Sequence, residues 1–146
     1  MKTRIEQPSA AICTFTWIGF VCAISFMEAW LKFRAPGITL PLGLGIGRLV
    51  FAALNKVEWV FAIAIIISTI RSSAPVFHRN QFFLFFAIAI LIMQTLWLLP
   101  ALDARAELYI TNKPVEPSSL HLYFAIAEVI KVSMLFTWGV TLFKRF

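Results

Sequence analysis

GRLVFAALNKVEWVFAIAIIISTI (47–70) and LHLYFAIAEVIKVSMLFTWGVTLF (120–143) decide the fold. Each is long and apolar enough to cross a bilayer as a helix, which takes roughly 20 residues. Each also carries charge near its middle: Lys56 and Glu58 on one, Glu128 and Lys131 on the other. A charged side chain at the bilayer centre costs about 2.5–3.5 kcal/mol on insertion scales. Four left alone would cost roughly 10 kcal/mol, comparable to the whole stability of a small protein. They are therefore expected to face inward, to pair, or to line a polar path.

Two further segments have the same character, about 10–31 and 82–99, so the spans read as about 10–31, 46–70, 82–99 and 120–143. The chain of 146 residues is 60% hydrophobic, against about 45–50% apolar in soluble domains. A chain this small cannot hide so much apolar surface from water. The expected fold is an all-α membrane protein, a four-transmembrane-helix bundle forming one domain over 1–146, with the bilayer as its first partner. The net charge of +6 sits mostly beside the spans, as membrane flanks do. It lacks the interleaved basic and aromatic pattern of a nucleic-acid groove. Glu6 and Pro8 interrupt the basic start, and Glu28, Lys32 and Arg34 close the first apolar run. It therefore reads as a retained span and not as a cleaved signal. Cys13 and Cys22 lie on different turns of one helix, about 13 Å apart along its axis, too far for a disulfide.

Lys2, Arg4, Arg71, Arg79, Lys144 and Arg145 flank one side of a four-span chain; Lys32, Arg34, Arg48, Arg105 and Lys113 flank the other. Six against five is a shallow bias, and the short middle loop with two arginines tips it. Both termini are expected in the cytoplasm, with a bacterial cytoplasmic membrane as the setting. Residues 35–46, APGITLPLGLGI, hold two prolines, three glycines and no charge. They read as irregular, either a tight surface loop or a segment folded back on the bundle. ALDARAELY (101–109) is expected to continue the third helix until Pro114 and Pro117 break it, with Ser118 or Ser119 capping the fourth span.

Aligning 47–59 with 120–132 puts Arg48, Asn55 and Glu58 in register with His121, Glu128 and Lys131. Offsets of seven and ten return to nearly one helical face. Each span thus carries a polar stripe, and the six residues are expected to meet in a buried polar cluster. The register also suggests two pseudo-symmetric helical hairpins, with chance similarity between apolar helices as the alternative. Lys56 lies about 160° from Glu58 around the helix. Its expected partner is Glu28, as a secondary pair, or else a carboxylate of a neighbouring subunit.

Buried acids and bases on facing helices can relay protons or hold a counter-ion; they can equally act as glue between helices. The function expected is passage or sensing of a small ion or solute, by a homo-oligomer or with other membrane subunits. The alternative is a non-catalytic accessory subunit of a larger complex, with outward aromatics in FFLFF (82–86) as interface features. No metal site, cofactor or enzyme is expected. His78 and His121 fall at opposite ends of the bundle, and there is no His/Cys spacing for a metal, no nucleophile elbow and no phosphate loop.

EAWLKFRAPG (28–37), GRLVF (47–51), LLPALDARAE (98–107) and SLHLYFAIAE (119–128) resemble stretches of the uncharacterised four-span bacterial membrane proteins grouped as domains of unknown function. The resemblance implies a four-helix membrane fold and carries no activity or site residues with it.

Overall fold

A computed structural model describes residues 3–5, 7–72 and 80–145. Four helices in it are long and apolar enough to cross a membrane: Pro8–Arg34, Leu40–Arg71, Gln81–Ile110 and Leu120–Thr141. They make an all-α four-helix bundle. The first span packs against the second and fourth, and the third packs against the same two, so the second and fourth face each other across the diagonal. The chain ends meet at one pole, where Thr3–Ile5 pairs antiparallel with Phe143–Arg145. This is the terminal pole. The loops after the first and third spans form the other, distal pole.

The first three spans run further than their apolar cores suggest, whereas the fourth ends at Thr141, two residues short of the 120–143 read from the sequence. The segment 35–46 is irregular only over residues 35–39: the second span already begins at Leu40. Pro41 sits in the first turn, where its missing N–H costs nothing, and Thr39 accepts a hydrogen bond from the Leu42 N–H as N-cap. Gly43 and Gly47 are buried on the helix and admit neighbours a side chain would exclude. A Cβ on Gly43 would overlap the Phe33 ring, and one on Gly47 would come within 3.3 Å of Lys32 Nζ. The turn before the helix uses Gly37 at φ +83°, a conformation that favours glycine.

The third span continues through ALDARAELY to Ile110, as its pattern suggests. Ser118 Oγ accepts from the Leu120 N–H at the start of the fourth span.

Two stretches depart from α geometry: Cys22–Glu28 in the first span and Gln94–Leu98 in the third are π-helical. They occupy equivalent places in the two odd-numbered helices, roughly half-way along each. Below the second one, the third span packs on the fourth; above it, the helix lies against the second span.

The terminal half of the bundle is closed by an apolar core including Trp17, Ala62, Ile65, Leu84, Leu91, Leu135 and Trp138. A smaller cluster of Ile90, Leu98, Phe124 and Ala127 occupies the distal half. Large apolar side chains face outward all round the bundle, among them Phe82, Phe85 and Phe86. In water that would be a liability; in lipid it is the expected surface. Cys13 and Cys22 are both free thiols.

Candidate functional site: a buried charge quartet beneath a distal cavity

Glu58, Glu128 and Lys131 meet at mid-bundle, all almost completely buried. Lys131 Nζ reaches Glu58 Oε2 at 2.5 Å and Oε1 at 2.9 Å, Gln94 Oε1 at 2.7 Å, and Glu128 Oε1 at 3.2 Å. Gln94 Nε2 donates to the same Glu128 oxygen at 2.9 Å. Gln94 therefore closes a ring with Lys131 and Glu128, and Glu58 closes the bundle's diagonal. The Trp17 indole N–H lies beside Glu58 without reaching hydrogen-bond geometry. Glu128 Oε2 is buried with no partner among the described residues. Two carboxylates thus face one ammonium in a site almost wholly shut off from the surface.

Glu58, Glu128 and Lys131 with the uncharged Gln94 make up the quartet, and Gln94 is the member that charge patterning misses. It is an uncharged residue in the apolar run LIMQTLW, inside the π-helical stretch. Its amide offers both a donor and an acceptor, which lets it accept from an ammonium and donate to a carboxylate at once.

The other expected members of this cluster lie elsewhere. Arg48 is at the distal pole, where its guanidinium binds Asp103, with Nε at 2.5 Å from Oδ1, and also Glu107. The acids sit four residues apart on the third span, on one helical face, and the fork-shaped cation spans both. Asn55 donates to Thr95 Oγ1 at 2.9 Å, which also accepts from Trp59 Nε1 at 3.0 Å and donates to the Leu91 carbonyl. This polar layer sits one turn distal to the quartet. His121 is exposed at the distal pole.

The Glu28–Lys56 pair does not form. Glu28 instead binds Lys32 at 3.1 Å, an i,i+4 contact on its own helix that needs no tertiary partner. Lys56 makes no ion pair among the described residues and is exposed.

Above the Asn55–Thr95 layer opens a cavity of about 760 Å³, lined by residues of all four spans and of the loop before the fourth. Lys32, Arg48, Lys56 and Arg105 contribute charge; Phe33, Phe51, Tyr109 and Phe124 contribute apolar wall. Lys32 lies within 5.7 Å of the Phe33 and Phe51 ring centres, a cation–π arrangement.

The chain matches no protein-family model, no curated protein and no solved structure.

No polar route continues from the quartet towards the terminal pole among the described residues. Thr14, Thr69, Ser133 and Thr137 all turn their hydroxyls back onto carbonyls of their own helices. No group of three metal-ligating side chains occurs among the described residues, and His78 lies outside them.

Proposed function

We propose that this chain senses a small ion or solute that enters the bundle from its distal pole. The observation that carries the reading is a cavity confined to the distal half of the bundle and bounded at mid-bundle by the Asn55–Thr95 layer, the buried quartet and the apolar core. A through-path would need polar groups in both halves. The quartet in this reading is a lock, holding the second, third and fourth spans in one register so that the cavity keeps its shape. Buried ionic groups can serve registry in this way.

The positive-inside bias puts both termini in the cytoplasm. The distal pole then faces out of a bacterial cytoplasmic membrane, which also fits the resemblance to four-span bacterial proteins.

The test uses reconstituted liposomes and two single cysteines in a background with Cys13 and Cys22 replaced by serine. Ala52→Cys, on the cavity wall, reacts with a membrane-impermeant thiol reagent from one side only. Ala62→Cys, in the core, reacts from neither. Steady proton or sodium flux that Glu58→Gln abolishes would replace sensing by passage.

A second reading, a non-catalytic subunit of a larger complex, draws on one observation: Lys56 is exposed at mid-span depth without an acidic partner among the described residues. A carboxylate on a second subunit, identical or foreign, would satisfy it. Native mass spectrometry of gently extracted protein separates a lone chain, a homo-oligomer and a complex with other membrane proteins.

A further inference from the structure

We infer that the distal cavity holds a single-chain amphiphile with one negative charge, its head group taken by Lys56 and Arg105 and its tail laid along the aromatic wall. The inference rests on the cavity being a solute site, as proposed above, and names the class of solute.

Charge comes first. Four cations line the cavity, but they are not equivalent. Lys32 is neutralised by Glu28, and Arg48 is held by Asp103 and Glu107. Lys56 and Arg105 have no acidic partner among the described residues. Four cations against three carboxylates leave one positive charge, so a monoanion balances the site. A buried or lipid-facing cation is a costly thing to leave alone. Lys56 begins at mid-span depth, but side chains on a helix lean towards its N-terminus. For the second span that direction is the distal pole, so the lysine stem carries its ammonium up the cavity and not down to the quartet.

The wall comes second. Phe33, Phe51 and Phe124 offer rings to the space, and Phe51 and Phe124 are packed edge-to-face at 5.3 Å. A small hydrated anion would gain nothing from this surface, whereas an alkyl or isoprenoid chain gains by leaving water. The volume of about 760 Å³ falls within the roughly 300–1,000 Å³ typical of ligand sites. The half of the bundle in which it lies borders one leaflet, where amphiphiles are already concentrated.

The experiment uses the full chain in phosphatidylcholine nanodiscs, with empty nanodiscs as background. The probe is a dansyl-labelled undecanoic acid, compared with its methyl ester. The acid is expected to bind saturably and the ester about tenfold more weakly, because a charge-assisted contact is lost. Lys56→Gln and Arg105→Gln should each weaken the acid several-fold, while Lys56→Arg retains it. Neither residue is packed in the core or paired, so thermal unfolding of these variants should match the parent. Equal binding of acid and ester, or variants that bind like the parent, would overturn the inference. If acetate or inorganic phosphate protects Ala52→Cys from labelling and the acid does not, the solute reading stands and the amphiphile falls. If no anion binds and Ala52→Cys is unreactive from both sides, both fall together.

Discussion

Lys131→Met is the substitution that weighs the quartet. The methionine fits the space of the lysine stem, so little packing is lost. What it removes is the one ammonium that Glu58, Glu128 and Gln94 all share. Two carboxylates then remain together, fully buried, with a single amide donor between them. Breaking a buried pair by deleting one partner costs about 3–5 kcal/mol, and this site sits at the low-dielectric end of that experience. Glu128→Gln is the matching control. It keeps an oxygen where Lys131 and Gln94 donate, and it replaces the oxygen that has no partner. It also removes the excess negative charge, so its expected change is within about 1 kcal/mol. Both are measured in mixed micelles by unfolding in increasing sodium dodecyl sulfate, followed by tryptophan fluorescence. In a double-mutant cycle, Lys131→Met with Glu58→Gln should cost clearly less than the two singles added, because the second change removes the orphaned charge. The reasoning fails if Lys131→Met unfolds with the parent, or if Glu128→Gln costs as much as Lys131→Met.

Thr95→Val deprives the Asn55 amide and the Trp59 indole of their shared acceptor and should cost about 2 kcal/mol, with a shift in tryptophan emission. Arg48→Met releases Asp103 and Glu107 at the partly exposed distal pole, where solvent screens ion pairs and they contribute little; the small loss should shrink further in high salt, as thermal scans at two ionic strengths would show. Gly139→Val forces a side chain against Phe15 and Thr14, which already lie 3.0–3.3 Å from the Cβ position, and overpacking of this kind costs about 1–3 kcal/mol. Cys13 and Cys22 should leave electrophoretic mobility identical with and without reductant.

The four spans were legible because apolar length is a strong signal, and mid-span charge marked Glu58, Glu128 and Lys131 as inward residues. The ends of the helices were not. Pro41 and three glycines read as a loop, yet proline is welcome in a first turn, and Gly43 and Gly47 are small because Phe33 and Lys32 lie against them. Helical facing alone grouped Arg48, Asn55 and His121 with the quartet. Depth separates Arg48 and His121 from it, since residues seven or ten apart lie on one face but roughly 10–15 Å apart along the axis; Asn55, only three residues from Glu58, is taken up by Thr95 instead. Two local signals went unused: Glu28 and Lys32 at i,i+4, and Asp103 and Glu107 at the same spacing opposite Arg48. Gln94 carries no charge, and nothing in an apolar run distinguishes an amide that bridges ions from one that merely fills space.

The π-helical stretch at Gln94–Leu98 gives the third span room to lose a residue. A π turn accommodates an extra residue within a helix that is otherwise α. Deleting Leu96, which faces outward, would let the helix return to α geometry with the two flanking halves close to their present phase. Asp103 and Glu107 would stay on Arg48, and Gln94 on Lys131. The same deletion at Ala101, inside the α-helical stretch beyond, has no wide turn to absorb it. It would swing Asp103 and Glu107 by about 100° and draw them in by about 1.5 Å, taking both from Arg48 and a wall from the cavity. The third span can therefore change length at the wide turn, between the buried ion cluster and the distal pole, but not beyond it.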